Sequence, residues 1–181
     1  MATLHIVTGN LSKAAAFRRL MPESIQFEVA DIDLPEIQSF DARTIITDKV
    51  QRAYTAIGKP VLVEDVSAGL DALQGLPGPF IKFFEERLGK DALYQLAQGR
   101  DPAVTVTSTI GYYDGSKLII TEGIVRGVVV AARGENGFGF DCCFVPDGQT
   151  KTFAEMTVKE KDAISHRSLS VHAFLAELKE L

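Results

Sequence analysis

Hydrophobic and polar positions switch between two periods along this 181-residue chain, and the switches mark out its elements. Leu4 to Val7 is a short, mostly apolar run and predicts a buried strand. Leu11 to Met21 follows at helical spacing, with Leu11, Ala14, Ala15, Leu20 and Met21 on or near one face. "IQFEVADIDL" alternates in part and predicts a second strand ended by Pro35. In "DARTIITDKVQRAYTAIG", Ala42, Ile45, Ile46, Val50, Ala53 and Ile57 recur as a helix face, Lys49 lies at its edge, and Gly58 stands where a C-terminal cap belongs. "PVLVEDVSAG" predicts a buried strand that stops at its two acids, and "LQGLPGPF" a loop punctuated by Gly and Pro.

The second half repeats the mixture. "IKFFEERLGKDALYQLAQG" predicts one or two helices, and Ala103 to Ala132, rich in Val, Ile, Thr and Tyr, a hairpin or meander turning at "YYDGSK". "ENGFGFDCCFVPDGQT" is a glycine-rich loop around a short apolar strand. Thr157 and Glu160 have capping-box spacing, and Val171, Phe174, Leu175 and Leu178 make a stripe on a terminal helix. Helices interleave with strands throughout, without repeats or linkers, which predicts a mixed α/β or α+β fold in a single domain over residues 1–181.

Composition narrows the partners. With 46% hydrophobic residues the chain fills one substantial core. A net charge of −5 argues against a nucleic-acid groove but leaves room for a small anion held by local cations. No apolar run approaches the ~20 residues a membrane helix needs, and the start lacks the pattern of a secretion signal. The adjacent Cys142 and Cys143 match neither a zinc motif nor an ordinary disulfide. A soluble, cytoplasmic protein with reduced thiols is expected.

Four groups of residues carry candidate chemistry. In "VTGNLSK", Thr8, Gly9, Asn10 and Lys13 sit where a strand enters a helix, whose first amides and dipole attract anions. Asn10 as a plain helix cap and Lys13 as a solvated charge explain the stretch equally well. Glu36 follows "DLP", and the pair Glu64–Asp65 ends a buried strand, a costly place for an unpaired charge. Oxygen ligands without His or Cys suit Mg²⁺, while a cap on the following turn is the plainer alternative. Lys49, Lys82 and Lys161, with Lys13, would surround a polyphosphate as point charges, or else extend into solvent. Finally, Ser165, His166 and Arg167 in "AISHRS" bring donors suited to a base edge, and Phe138 and Phe140, around Gly139 and beside Asp141, offer rings for stacking. A polar helix start and core phenylalanines are the structural alternatives.

Taken in order, "VTGNLSK", "DLPEIQ", "VEDVSAGLDALQGLPGPFIKFF", "GFGFDCCFVPDG" and "KTFAEMTVKEKDAISHR" resemble the inosine triphosphate pyrophosphatase family over nearly the whole chain. The resemblance implies an elongated mixed sheet flanked by helices, two lobes with an active-site cleft between them, and a homodimer. It implies Mg²⁺-dependent hydrolysis of deaminated purine nucleoside triphosphates such as ITP, dITP and XTP to the monophosphate and pyrophosphate. Thr8, Gly9, Asn10, Lys13 and Lys49 would then hold the triphosphate, Glu36 and Asp65 the metal, and Asp65 would act as general base with Glu64 beside it. Phe138, Gly139, Phe140, Asp141, Lys161, Ser165, His166 and Arg167 match the purine pocket, and Lys82 lies in the matching loop.

Four positions depart from that family's pattern. Ala16 stands where an acid is usual, Val66 where Ser or Thr is, Ser39 replaces a glycine, and Cys142 replaces a proline. These departures keep two other readings open. One is a nucleotide-binding member without turnover; the other is a related house-cleaning hydrolase with a shifted base preference.

Overall fold

In the computed structural model, which describes residues 3–179, the chain forms a seven-stranded mixed sheet with helices. In chain order the elements are β1 (Leu4–Val7), α1 (Leu11–Leu20), β2 (Phe27–Ala30), α2 (Ala42–Ile57), β3 (Val61–Leu70), β4 (Leu76–Gly78), α3 (Ile81–Leu88) and α4 (Ala92–Leu96). There follow β5 (Ala103–Tyr113), β6 (Leu118–Val129), β7 (Phe144–Pro146), α5 (Val158–Ile164) and α6 (His166–Lys179). The strand order is β2-β1-β3-β5-β6-β7, with β4 added along β3.

The chain divides into two compact units. The first comprises residues 1–65, 108–123 and 168–181; the second comprises 66–107 and 124–167. In the first, β1 pairs in parallel with both β2 and β3. Leu4, Ile6 and Leu62 pack with Phe17 of α1 and with Val171 and Phe174 of α6. Val7, Val61 and Val63 point the other way and pack on Ile46, Val50 and Ala53 of α2. Both faces are covered, which is why these strands read as nearly continuous apolar runs. The second unit has its own core, in which Phe144, Phe153, Leu70, Leu93 and Val106 are fully buried.

Several elements differ from the sequence expectation for identifiable reasons. β2 stops at Ala30 because its partner β1 ends at Val7, opposite it in register. β3 does not stop at Glu64–Asp65 but continues to Leu70, where it gains a new partner in β4. The expected loop thus contains a strand: Gly69 lies opposite Pro77, and a Cβ on Gly69 would stand 2.1 Å from the Gly75 carbonyl oxygen. On α1 the buried residues are Ala14, Ala16 and Phe17, whereas Leu11 is 85% exposed and Ala15 faces outward. "SHR" spans a junction of two helices, since Ser165 caps the end of α5 and His166 begins α6. The hairpin of β5 and β6, the Gly58 cap in left-handed conformation (φ 68°) and the Thr157–Glu160 capping box form as expected.

Candidate active site

The connections around β1 determine where a ligand belongs in the first unit. From β1 the chain crosses through α1 to β2 on one side and returns through α2 to β3 on the other. Such a reversal opens a crevice at the carboxyl ends of the two central parallel strands, the usual ligand position in open α/β sheets. Thr8 to Lys13 follow the end of β1, and Glu64 and Asp65 follow the β1-paired part of β3.

Asn10 does cap α1. Its side-chain oxygen accepts from the Ser12 and Lys13 amides at 2.9 and 3.0 Å, and its own amide donates to Thr8 Oγ1 at 3.1 Å. Two of the helix's first amides are therefore satisfied internally, and side-chain cations have to supply most of the anion affinity. Gly9 leaves room for Asp31, whose carboxylate oxygen would stand 2.7 Å from a Cβ there.

The lysines converge on the acids. Lys13 Nζ lies 3.2 Å from Glu64 Oε2, and Lys13 and Lys49 both reach the Glu64 carbonyl oxygen at 3.5 Å. Lys49 also pairs with Glu36, which is more exposed than its partner. Glu64 itself is buried (5%) and accepts from Ser108 Oγ at 2.7 Å. Burial raises the Asp65 carboxyl above its ordinary value. Lys49 and Lys13 pull it down, and Glu36 and Glu64 push it up. Asp65 is thus within electrostatic reach of two cations and two acids, in a strand where its charge is poorly solvated.

The second unit carries a different constellation. Asp141 is buried (3%); its Oδ2 accepts from the Phe138 amide at 2.8 Å and from Lys161 Nζ. Lys161 Nζ and the Arg167 guanidinium each lie 5.3 Å from the Phe138 ring centroid, within cation–π range. Burial lowers the Lys161 ammonium, Asp141 opposes that, and Arg167 adds to it. Gly137 makes this turn possible, because at φ +79° its Cβ would stand 2.1 Å from Asp141 Oδ2. A half-buried ring, two cations and a buried acceptor together suit a flat, polar-edged group.

The remaining expected residues separate. Phe140 is core, edge-on to Phe144 and 6.1 Å from the His166 ring, itself the same distance from Phe153. Ser165, His166 and Arg167 are buried rather than surface polar residues, and Gly139 opens the one-turn 3-10 helix that carries Asp141. Lys82 is exposed on α3 and pairs loosely with Glu86 at 4.0 Å. Sequence reasoning missed Ser108, Gly137 and Glu85. Glu85 Oε1 is buried without a hydrogen-bond partner, and its carboxyl is pushed up to about 7, chiefly by burial, with the Phe140 amide and Lys90 opposing and Asp141 reinforcing.

Oxygen donors such as these acids have the chemistry of a Mg²⁺ site. Among the described residues no three metal-ligating side chains form a closed cage. Mg²⁺ commonly takes one or two carboxylates and completes its shell with water and phosphate, and Glu36 and Asp65 are the side chains that could supply them.

Comparison with known proteins supplies the context for both constellations. The sequence model of the Ham1 family matches residues 4–177. An inosine triphosphate pyrophosphatase of Emericella nidulans is 40% identical over 170 residues, 92% of this chain and 91% of that one. Inosine triphosphate pyrophosphatase 1 of Trypanosoma cruzi is 39% identical over 175 residues, 94% of this chain and 89% of that one. Among solved structures, a HAM1 protein from Coxiella burnetii superposes with a TM-score of 0.86 over all of both chains at 24% identity, a likeness of fold. A protein from Mycobacterium abscessus described as a nucleoside-triphosphatase and dITP/XTP pyrophosphatase has a TM-score of 0.72 at 26% identity, covering 96% of this chain and 98% of that one.

Proposed function

Because the chain belongs to the Ham1 family, we propose that it hydrolyses deaminated purine nucleoside triphosphates, among them ITP, dITP and XTP, to the monophosphate and pyrophosphate. The observation that carries this reading is the convergence of Lys13 and Lys49 on Glu64, with Glu36 and Asp65 in electrostatic reach. A nucleoside triphosphate offers a group for each constellation: a polyphosphate for the first, a flat base for the second.

The chemistry asks for charge neutralisation on phosphate oxygens and a water aligned for attack. Lys13 and Lys49 supply fixed positive charge, and Thr8 and the Gly9–Asn10 turn supply donors. Mg²⁺, held by Glu36 and Asp65, would polarise the phosphate oxygens when bound. Asp65, in electrostatic reach of Lys49 and Lys13, would take the proton of the attacking water. Glu64, engaged by Lys13 and Ser108, orients the lysine rather than the water.

In the second unit, the Phe138 ring and the donors of Arg167 and Lys161 would receive the base. A 6-oxo group accepts where adenine's amine donates, so buried donors left unpaired by adenine give the discrimination. Lys82, exposed on α3, would be a further cation for the phosphates. A homodimer and a cytoplasmic location complete the proposal, the second in keeping with the free thiols of Cys142 and Cys143.

A shifted base preference is the reading to set beside it, because Cys142 and Glu85 both alter the surroundings of Asp141. A panel of ITP, XTP, GTP, ATP and modified pyrimidine triphosphates, scored by pyrophosphate release, separates the two. Preference for ITP and XTP is expected, and equal or faster turnover of the modified pyrimidines would favour the second reading.

A further inference from the structure

Glu64 is held from its other side by a buried chain of hydroxyls that the phosphate chemistry does not use. Ser108 on β5 and Ser170 on α6 are both fully buried, and Ser108 Oγ lies 2.7 Å from Glu64 Oε1 and 2.8 Å from Ser170 Oγ. A carboxylate only accepts, so the single Ser108 proton goes to Glu64 and Ser108 accepts from Ser170. Thr121 Oγ1 on β6 in turn donates to the Ser170 carbonyl at 3.1 Å, tying the first half of α6 to the sheet. The chain therefore has a direction, from Ser170 through Ser108 to Glu64, and ends on an ion pair, since Glu64 Oε2 meets Lys13 at 3.2 Å.

Buried hydroxyls are costly unless bonded, and here the bonding converges on one carboxylate. We propose that Ser108 is a positioning residue of the phosphate site: by holding Glu64 Oε1 it fixes the rotamer that presents Oε2 to Lys13, and so sets where the Lys13 ammonium stands for a triphosphate. Without the hydroxyl, Glu64 loses its short charge-assisted hydrogen bond and its carboxylate is less firmly placed. The counter-charge that faces Lys13 is then less firmly placed as well. This role rests on the reading of Lys13 as a phosphate ligand.

The test measures kcat and KM for ITP in the wild type, Ser108→Ala, Ser108→Thr, Lys13→Ala and the double variant S108A/K13A, with inorganic tripolyphosphate affinity measured by calorimetry on the same proteins. Ser108→Ala should raise KM by about tenfold while kcat stays within about twofold, as expected for one lost charge-assisted bond acting on binding. Ser108→Thr, which keeps a hydroxyl, should restore most of the affinity. In the Lys13→Ala background the serine change should cost nothing further. A wild-type KM in Ser108→Ala, or an undiminished loss when Lys13 is already absent, overturns the proposal. Should the wild type turn over no ITP, the proposed activity fails by itself, and the tripolyphosphate affinities decide the Ser108 question by the same pattern. If Ser108→Ala does not fold, Ser170→Ala reads the same chain: a smaller rise in KM that vanishes without Lys13 supports it, and an unchanged KM contradicts it.

Discussion

Asp65 illustrates how one residue is set by its surroundings. Burial raises its carboxyl while Lys49 and Lys13 restrain the rise, the surroundings in which the proposed roles of metal ligand and base would be exercised. Asp65→Asn keeps the volume and removes both capacities. Pyrophosphate release should fall by about a hundredfold or more, whereas calorimetry should find ITP bound nearly as before; a variant with wild-type turnover would remove Asp65 from the mechanism. Glu85 carries a separate, pH-linked prediction. Its carboxyl is raised from 4.5 to about 7 in the folded protein, so the folded state holds a proton that the unfolded state releases earlier. Stability is then complete below about 4.5 and is lost as pH rises through about 7. With partial exposure discounted, the loss is on the order of 1–2 kcal/mol. Denaturant titrations of wild type and Glu85→Gln at pH 5 and pH 8 should show the difference between them growing in favour of Gln at the higher pH. Equal pH dependence of the two proteins would contradict it. At this scale the sequence is informative where a charge interrupts an apolar run, as at Glu64, Asp65 and Asp141. It is silent on Ser108, Gly137 and Glu85, whose meaning comes only from neighbours distant in sequence: Ser108 inside "VTVTSTIGYY" is an ordinary strand residue until Glu64 stands beside it.

Elements were legible where the signal is local. β1, α2 with its Gly58 cap, and the α5 capping box were all expected from spacing alone, because caps and apolar periods involve residues a few positions apart. The length of β2 and the continuation of β3 were not, since each depends on a partner strand elsewhere in the chain. α5 is short and carries Lys161, so its start matters for the second constellation. Thr157 Oγ1 accepts from the Glu160 amide at 3.2 Å, and the Thr157 amide donates to Glu160 Oε2 at 2.7 Å. Thr157→Ala should cost about 1 kcal/mol of stability. It should also raise KM for ITP modestly with kcat little changed, as Lys161 loses its fixed backbone. Thermal denaturation and steady-state kinetics check the two parts, and an unchanged melting temperature would show that the cap contributes nothing.

For the whole molecule, the strand order around β1 is the feature that pattern reading did not reach. The sequence predicts alternating strands and helices, and hence a mixed sheet, but not which strand lies at the centre. With β1 between β2 and β3, the reversal of the chain brings Thr8–Lys13 and Glu64–Asp65 to adjacent strand ends, although more than fifty residues separate them in sequence. In the proposed reaction these residues cleave the bond between the α- and β-phosphates of a deaminated purine nucleotide. The most direct measurement identifies the products formed from ITP with Mg²⁺ present, for the wild type and for Asp65→Asn, with ATP as the comparison substrate. IMP and pyrophosphate are expected in equal amounts from the wild type, with far slower reaction of ATP and almost none by the variant. Inosine diphosphate with orthophosphate, or tight ITP binding with no pyrophosphate released, would contradict it.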